Sequence, residues 1–270
     1  MTRRASLVLA AVLAATPAIA GATDGLRPFE ATFAIDYGNL PVGSSRLTLR
    51  RDDAPGNWVF ESRSKAQGLA RLVIGSEVHQ RSRLAVGADG VRPLQYRLDD
   101  GTAGTAKDVS LDFDWDAGRV AGTAERRPVD VATVPGLQDA LTLQLAAMLE
   151  LAAGRRPTRF PMIEKTEVKV YEYEFVRSER LHTAAGELDT VVYRSARTGG
   201  ERYTLQWFAP ALGWISVRSE QHRGRRTLFT LRLRSYSEPQ VPAATATAAR
   251  TQVRGSVTPF WPWYLPPRSL

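Results

Sequence analysis

Histidine and cysteine side chains are the first places to look for metal or acid–base chemistry in this sequence. The chain has three histidines, His79, His182 and His222, and no cysteine. None of the histidines lies in an HExxH pattern or a close His-x-His pair, which are spacings that hold zinc. We therefore expect structural or exposed histidines, no metal site and no cofactor.

Three aspartates at alternate positions, Asp112, Asp114 and Asp116, form a pattern that could bind a cation. Calcium loops also alternate their oxygen ligands. Here, however, Phe113 and Trp115 stand between the aspartates, and no glutamate closes a calcium-binding loop. In a strand the aspartates would share the outer face and the bulky residues the inner one. We favour this solvated outer face, and a calcium site stays open as the alternative.

No catalytic motif accompanies these residues. The sequence lacks a G-x-S-x-G nucleophile elbow, a phosphate-binding P-loop and a dinucleotide fingerprint. Serine hydrolysis also needs a base and an orienting acid beside the serine, and no spacing in this chain indicates such a set. We therefore predict that the protein is not an enzyme, and we assign no catalytic residue.

The densest aromatic stretch of the chain is QWFAPALGWISVR. Pro210 and Gly213 predict a turn within it, and Trp207 and Trp214 flank that turn. Two tryptophans beside a tight turn usually pack on the core, but they can also line a ligand site. Trp207 and Trp214 are therefore candidate ligand-binding residues.

The first residues of the chain indicate export. A basic start, MTRR, precedes the apolar run ASLVLAAVLAATPAIA, and Ala18-Ile19-Ala20 gives the small-x-small pattern of a signal-peptidase site. We interpret residues 1–20 as a cleavable signal peptide rather than an anchor, because the run is short for a span of about 20 residues. Without cysteine there is no lipid-modified cysteine, so we expect a free periplasmic protein with no transmembrane segment after cleavage.

Basic residues exceed acidic ones, with 36 lysines and arginines against 28 aspartates and glutamates and a net charge of +8. Only four of the basic residues are lysine. The excess of arginine has two interpretations: the codon bias of a GC-rich genome, or attraction to an anionic lipid surface. We favour codon bias because the arginines are scattered along strands. A nucleic-acid partner is not expected in the periplasm.

Alternating apolar residues predict a series of short strands. In FEATFAIDYG the bulky positions recur with a period of two from Phe29 to Tyr37, and Asp89-Gly90 indicates a hairpin turn. Short turns between strands favour antiparallel pairing. We predict a mainly β fold, a large curved antiparallel sheet or open β-barrel of roughly 11–12 strands. It forms a single domain over residues 26–237, and residues 238–270, which include PFWPWYLPP, have the composition of a disordered tail.

One segment breaks the strand pattern. PGLQDALTLQLAAMLEL predicts an apolar helix near residues 137–152, with Leu141, Leu145 and Met148 on one stripe. The apolar arc is wider than a surface helix needs, so the helix should be largely buried against the sheet. It is either a plug that completes the core or a lid over a pocket. The second interpretation makes Leu141, Leu145 and Met148 candidate ligand-binding residues.

Several pieces of the sequence together resemble the domain-of-unknown-function family numbered 3108, a group of exported bacterial proteins. They are, in order, PFEATFAIDYGNLPVGSSRLTL, GLARLV, VRPLQYR, VSLDFDW, VPGLQDALTLQLAAML and WFAPALGWISVR. The chain departs from the family pattern at Ala140-Leu141-Thr142, where Pro-Leu-Ser is expected, and at Ser216, where proline is usual. The resemblance implies an exported β-rich protein and supplies no reaction.

The expected architecture is also similar to the open half-barrels of lipoprotein carriers, in which a curved sheet forms a hydrophobic concavity. We therefore expect a non-enzymatic binding module for a lipid, another hydrophobic ligand or an acylated envelope partner. The alternative is a structural or interaction protein of the envelope with a filled interior. An outer-membrane barrel is disfavoured because the strands carry arginine and glutamate rather than lipid-facing apolar bands. The sequence predicts no oligomeric state.

Overall fold

The computed structural model describes residues 25–68, 77–102 and 104–239. The predicted signal peptide, residues 1–20, lies outside the described residues, as does the predicted tail from residue 240 onward. Within the described ranges the chain forms fourteen strands and one α-helix. The mainly β fold with one large antiparallel sheet and one inserted helix is therefore confirmed.

The elements follow one another along the chain with short connections. In order they are β1 Phe29–Tyr37, β2 Leu40–Arg51, β3 Asn57–Ala66, β4 Glu77–Gly87, β5 Gly90–Asp99, β6 Val109–Asp114, β7 Arg119–Ala124, β8 Arg127–Ala132, α1 Thr142–Ala152, β9 Arg159–Glu164, β10 Glu167–Thr183, β11 Gly186–Arg197, β12 Arg202–Ala209, β13 Ile215–Arg223 and β14 Arg226–Ser237. A short 3-10 helix, Pro210–Leu212, connects β12 to β13.

The strand count exceeds the predicted 11–12 because two strands lack the usual signals. Glu125 and Arg126 form the tight turn between β7 and β8 with positive φ angles of 51° and 64°. Such a turn is normally indicated by glycine or asparagine. β9 contains Pro161, and proline is disfavoured inside a sheet. β9 is an edge strand, where the missing backbone N–H is tolerated.

The sheet has the order β8-β7-β6-β5-β4-β3-β2-β1-β14-β13-β12-β11-β10-β9. Strands that follow one another in the sequence pair antiparallel, except for β8 and β9, which do not pair with each other. The first and last strands, β1 and β14, pair at the centre of the sheet. β8 and β9 are the two edges, and the sheet is not closed between them. An ion pair of 3.0 Å between Lys165 Nζ and Glu125 Oε2 connects the β9–β10 turn to the β7–β8 turn. The sheet therefore curves until its edges approach each other at these turns.

Side-chain alternation places the core on the inner, concave face of the sheet. In β1, Phe29, Ala31 and Phe33 are buried, and the residues between them are partly exposed. The outer face carries ion pairs such as Arg81 Nε–Glu61 Oε1 at 3.3 Å. One hydrophobic cluster joins the inner face to the helix.

The helix begins at Thr142 rather than near residue 137, which corrects the predicted start. Leu137 and Gln138 lie outside the helix. The Gln138 N–H donates to the Pro161 carbonyl at 2.9 Å, and the Ile163 N–H donates to the Gln138 carbonyl at 2.9 Å. These two bonds form a parallel bridge to β9, so tertiary pairing removes this stretch from the helix.

Asp139 determines where the helix starts. Its Oδ1 accepts the N–H groups of Leu141 and Thr142 at 2.8 Å each, and Thr142 Oγ1 accepts the Asp139 N–H at 2.9 Å. This is the reciprocal arrangement of a capping box. Of the helical residues only Ala152 is exposed, so the helix packs inside the curve of the sheet. Within the described ranges no helix has the length and apolar character that crossing a bilayer requires.

Candidate functional site

The concave face of the sheet encloses a cavity of about 400 Å³. Its lining comes from the start of the helix and from strands β1–β4 and β9–β14. The lining residues fall into an apolar patch, a band of uncharged polar groups and a charged mouth.

The apolar patch joins the helix to the sheet. Leu141 and Leu143 come from the start of the helix, and Phe33, Leu47 and Leu231 come from the inner faces of β1, β2 and β14. Leu141 itself is buried, with 8% of its surface exposed. The patch therefore presents an apolar surface to the cavity.

Uncharged polar side chains form a band on the inner face, which we name the polar belt. On one wall Ser195, Thr204 and Gln221 are cross-strand neighbours in β11, β12 and β13, and Gln206 and Ser219 form the adjoining row. All five are less than one-tenth exposed. The belt comprises Ser45, Ser62, Gln80, Gln144, Ser195, Thr204, Gln206, Ser219 and Gln221.

The opposite wall continues the same chemistry. Ser62 and Gln80 are cross-strand neighbours in β3 and β4, and Ser45 lies on β2, with its hydroxyl 3.4 Å from that of Ser62. The Tyr96 hydroxyl donates to Gln80 Oε1 at 2.7 Å, which fixes that amide. Polar groups thus face the cavity from both sides.

Some polar atoms of the belt have no hydrogen-bond partner within the described part of the protein. Gln221 is 8% exposed, yet its Oε1 has no hydrogen-bond partner among the residues that the structure describes. Gln144 Nε2 at the start of the helix also has no partner among the described residues, although Gln144 as a whole is partly exposed. Buried polar groups in proteins are nearly always hydrogen-bonded. Both glutamines line the cavity, and a change of side-chain rotamer would present these buried amide atoms to a ligand or to water there.

Charged residues of the lining lie at strand ends and form the mouth. Arg197 pairs with Glu164 at 3.4 Å, and Arg223 pairs with Glu201 at 2.9 Å. Burial and the nearby Arg223 guanidinium lower the pKa of Arg202. Three guanidiniums accompany two carboxylates, so the mouth carries excess positive charge.

Asp139 is fully buried where the helix meets β4. The Ser82 hydroxyl lies 2.9 Å and 2.8 Å from its two carboxylate oxygens. Burial raises the pKa of Asp139 to about 6, although hydrogen bonds from Thr142, Ser82 and Leu141 act in the opposite direction. The carboxyl group therefore connects the start of the helix, which lines the cavity, to the wall of the sheet.

The structure separates the five predicted ligand-binding residues. Leu141, Leu145 and Met148 all belong to the hydrophobic cluster, but only Leu141, which directly precedes the helix, also lines the cavity. Trp207 and Trp214 do not line this cavity. The set as a whole stays a prediction.

The two tryptophans have other surroundings. The Trp207 indole N–H donates to the Glu179 carboxylate, and the Arg218 guanidinium lies 4.9 Å from the ring centroid. Trp214, with a φ of 65°, follows the 3-10 helix and packs against the hydrophobic cluster. Trp207 therefore contacts charged groups on the face of the sheet opposite Gln206.

The polar belt is a feature that sequence patterns did not predict. The sequence signal for it is the position of polar residues within the alternation of a strand. In β4, Gln80 and Ser82 occupy the same alternate, buried positions as Val78 and Leu84. A strand that places serine and glutamine in its apolar register indicates a polar site on the inner face.

The aspartates of VSLDFDWD lie mostly where the outer-face interpretation places them. Asp112 and Asp114 are exposed, and Arg97 Nη2 donates to Asp112 Oδ1 at 2.9 Å. Asp116 lies in the turn after β6.

The histidines each lie beside a glutamate, in the pairs His79–Glu61, His182–Glu187 and His222–Glu220.

A different acidic group lies at the β5–β6 loop. The carboxylates of Asp99, Asp100 and Asp108 have oxygens within 4.8 Å of one another. Asp99 accepts the Gly101 N–H, Asp100 accepts the Thr102 N–H, and Asp108 accepts the Asp100 N–H. Burial and the neighbouring carboxylates raise the pKa of Asp108. These hydrogen bonds give the carboxylates a role in shaping the loop.

A solved structure of low sequence identity has a similar fold. A β-barrel-like protein of the domain-of-unknown-function family DUF1849 from Brucella abortus is similar, with a TM-score of 0.52, 12% identity, and coverage of 80% of this chain and 99% of that one. MucB is similar at a TM-score of 0.35 and 12% identity, over 83% of this chain and 59% of that one. No curated protein sequence matches the chain.

Comparison with family models gives a more specific result. The model described as "Protein of unknown function (DUF3108)" matches residues 32–224, which is most of the described structure. The match extends from β1 to the end of β13 and so includes both walls of the cavity and the inserted helix. The chain therefore belongs to the DUF3108 family.

Proposed function

We propose that this protein is an exported, non-enzymatic binding module that holds one amphipathic ligand, a lipid or the acylated part of an envelope partner, inside the sheet. The observation that carries the proposal is the composition of the cavity wall. It offers an apolar patch, a polar belt and a charged mouth to the same enclosed volume. An amphipathic molecule matches such a wall better than a purely apolar or purely polar one.

The size of the cavity is consistent with ligand binding. Ligand sites in proteins typically enclose about 300–1,000 Å³, and this cavity has about 400 Å³. A completely filled interior, as a purely structural protein would have, leaves no such volume. The cavity therefore favours the binding module over the structural alternative.

The chemistry of the lining supports a binding role rather than catalysis. The serines of the polar belt have no histidine beside them, because none of the three histidines belongs to the lining that the structure describes. A serine without a base is a poor nucleophile. Export is supported by the basic start, the apolar run and the cleavage pattern in residues 1–20.

Filling the cavity tests where a ligand binds. Replacing Ser219, which is 5% exposed on the inner face, with phenylalanine places a ring inside the cavity. We expect the Ser219→Phe variant to bind a fluorescent fatty-acid probe at least about tenfold more weakly than the wild type. Ser178→Phe makes the same change at an exposed position of β10 and should bind the probe as the wild type does.

Titration of the probe, together with circular dichroism to verify folding, provides the measurement. If folded Ser219→Phe binds the probe as tightly as the wild type, the cavity is not the binding site. If the wild type itself does not bind, the protein is better described as an envelope interaction protein without a lipid ligand.

A further inference from the structure

We infer that the ligand presents an uncharged, hydroxyl-rich group of the saccharide class to the polar belt. This inference rests on the proposed function, because it names the chemistry of the ligand that the same cavity would hold. The starting observation is that serine, threonine and glutamine occupy inner-face positions on both walls of the cavity.

The polar belt consists of neutral groups alone. Ser195, Thr204 and Gln221 form one cross-strand row, and Ser62 faces the cavity from the other wall beside Gln80. The charged residues of the lining are confined to the mouth. A carboxylate, phosphate or ammonium group within the belt would lose its hydration without gaining an opposite charge, which is strongly unfavourable. The group held there is therefore neutral.

Unsatisfied amide atoms determine which kind of neutral group fits. Gln221 Oε1 lacks a donor, and Gln144 Nε2 lacks an acceptor, among the residues that the structure describes. The oxygen and nitrogen of a glutamine amide can be exchanged by a flip, so either amide can require a donor or an acceptor. A hydroxyl group both donates and accepts, and it satisfies the amide in either orientation. A group that carries several hydroxyls can satisfy more than one such amide.

A plain acyl chain fits this surface less well. It would cover the hydroxyls and amides of the polar belt without forming hydrogen bonds, and burying polar groups unsatisfied is unfavourable. The apolar patch, which includes Leu141, Leu143 and Leu231, can hold a hydrocarbon segment beside the belt. The wall is therefore suited to a glycosyl group attached to an apolar segment.

Two detergents with the same chain and different heads test this assignment on the full-length mature protein. Octyl-β-D-glucoside carries several hydroxyls, whereas octyl tetraethylene glycol ether has acceptor oxygens and a single donor. Both are titrated below their critical micelle concentrations by isothermal calorimetry. We expect the wild type to bind the glucoside about tenfold more tightly than the ether.

The double variant Gln144→Leu/Gln221→Leu keeps the side-chain volumes and removes both amides. It should lose the preference for the glucoside while binding the ether at least as tightly as the wild type. Gln95→Leu, whose amide donates to Asp112 outside the cavity lining, is the matched control and should keep the preference.

The possible results distinguish this inference from the proposed function. Equal binding of both detergents by the wild type, or an unchanged preference in the folded double variant, would overturn the saccharide assignment and leave the binding module intact. Failure of the wild type to bind either detergent would contradict the proposed function as well.

Discussion

Replacing Asp139 with alanine is expected to lower the free energy of unfolding by about 2–3 kcal/mol, because it removes a helix cap and leaves buried donors without acceptors. The carboxylate accepts the N–H groups of Leu141 and Thr142 and the hydroxyl of Ser82, and it is completely buried. Urea denaturation followed by circular dichroism measures the change.

Asparagine at the same position separates the cap from the charge. Asp139→Asn retains an oxygen that can accept both N–H groups, and the Ser82 hydroxyl can accept from the new amide. We expect this variant to stay within about 1 kcal/mol of the wild type at pH 7, or to exceed it, because no buried charge remains. A loss as large as that of Asp139→Ala would show that the cap depends on the charge.

The raised pKa of Asp139 gives the stability a defined pH dependence. Since the pKa in the folded state, about 6, exceeds the ordinary value of 3.8, the folded protein holds the proton more tightly. The stabilisation from protonation is complete below pH 3.8 and is lost as the pH rises through about 6. Between pH 4 and pH 7 the wild type should lose about 2.4 kcal/mol relative to Asp139→Asn. Parallel pH profiles of the two proteins would contradict this result.

Truncating Leu145 to alanine is expected to destabilise the protein by about 3 kcal/mol, as large-to-small changes in packed cores do. Leu145 is 0% exposed and belongs to the hydrophobic cluster, so no solvent can fill the space that it leaves. The loss should appear as a lower urea midpoint with an unchanged slope.

Leu143→Ala is the matched control on the same helix. Leu143 is partly exposed and lines the cavity, so its truncation should cost less than about 1 kcal/mol and change ligand binding instead. Such a pair of results would mean that the core of the helix is a plug while its first turn forms part of the cavity wall. If Leu145→Ala were as mild as Leu143→Ala, the helix would act as a lid that the fold does not require.

Much of this architecture follows from local patterns in the sequence. The alternation of Phe29, Ala31 and Phe33 in β1 places them on the buried face, as strand geometry requires. The apolar arc of the helix likewise predicts its burial. In both cases the periodicity alone determines which side chains face the core.

The start of the helix depends on longer-range contacts. Leu137 and Gln138 have helix-compatible side chains, but Gln138 exchanges backbone hydrogen bonds with β9 and its amide donates to the Val91 carbonyl at 3.0 Å. Asp139 then caps the helix. Pairing with residues distant in sequence overrides the local propensity here.

The character of the cavity depends on how the sheet curves. In β12, Thr204 and Gln206 share the inner register with Phe208, so the local pattern combines polar and apolar residues on one face. The curved path of the sheet from β3 through β2, β1, β14 and β13 to β12 brings Ser62 and Gln206 to opposite walls of one space. Sequence alternation assigns the face of a residue and carries no information on that curvature.

Native mass spectrometry of the protein exported with its own N-terminal segment and purified from the periplasm without detergent tests the central claim most directly. The account predicts a stoichiometric adduct of lipid-like mass on the mature chain that is lost on denaturation and is absent from Ser219→Phe. A wild-type spectrum with only the mass of the polypeptide, or an adduct that Ser219→Phe retains in full, would contradict a ligand-binding cavity inside the sheet.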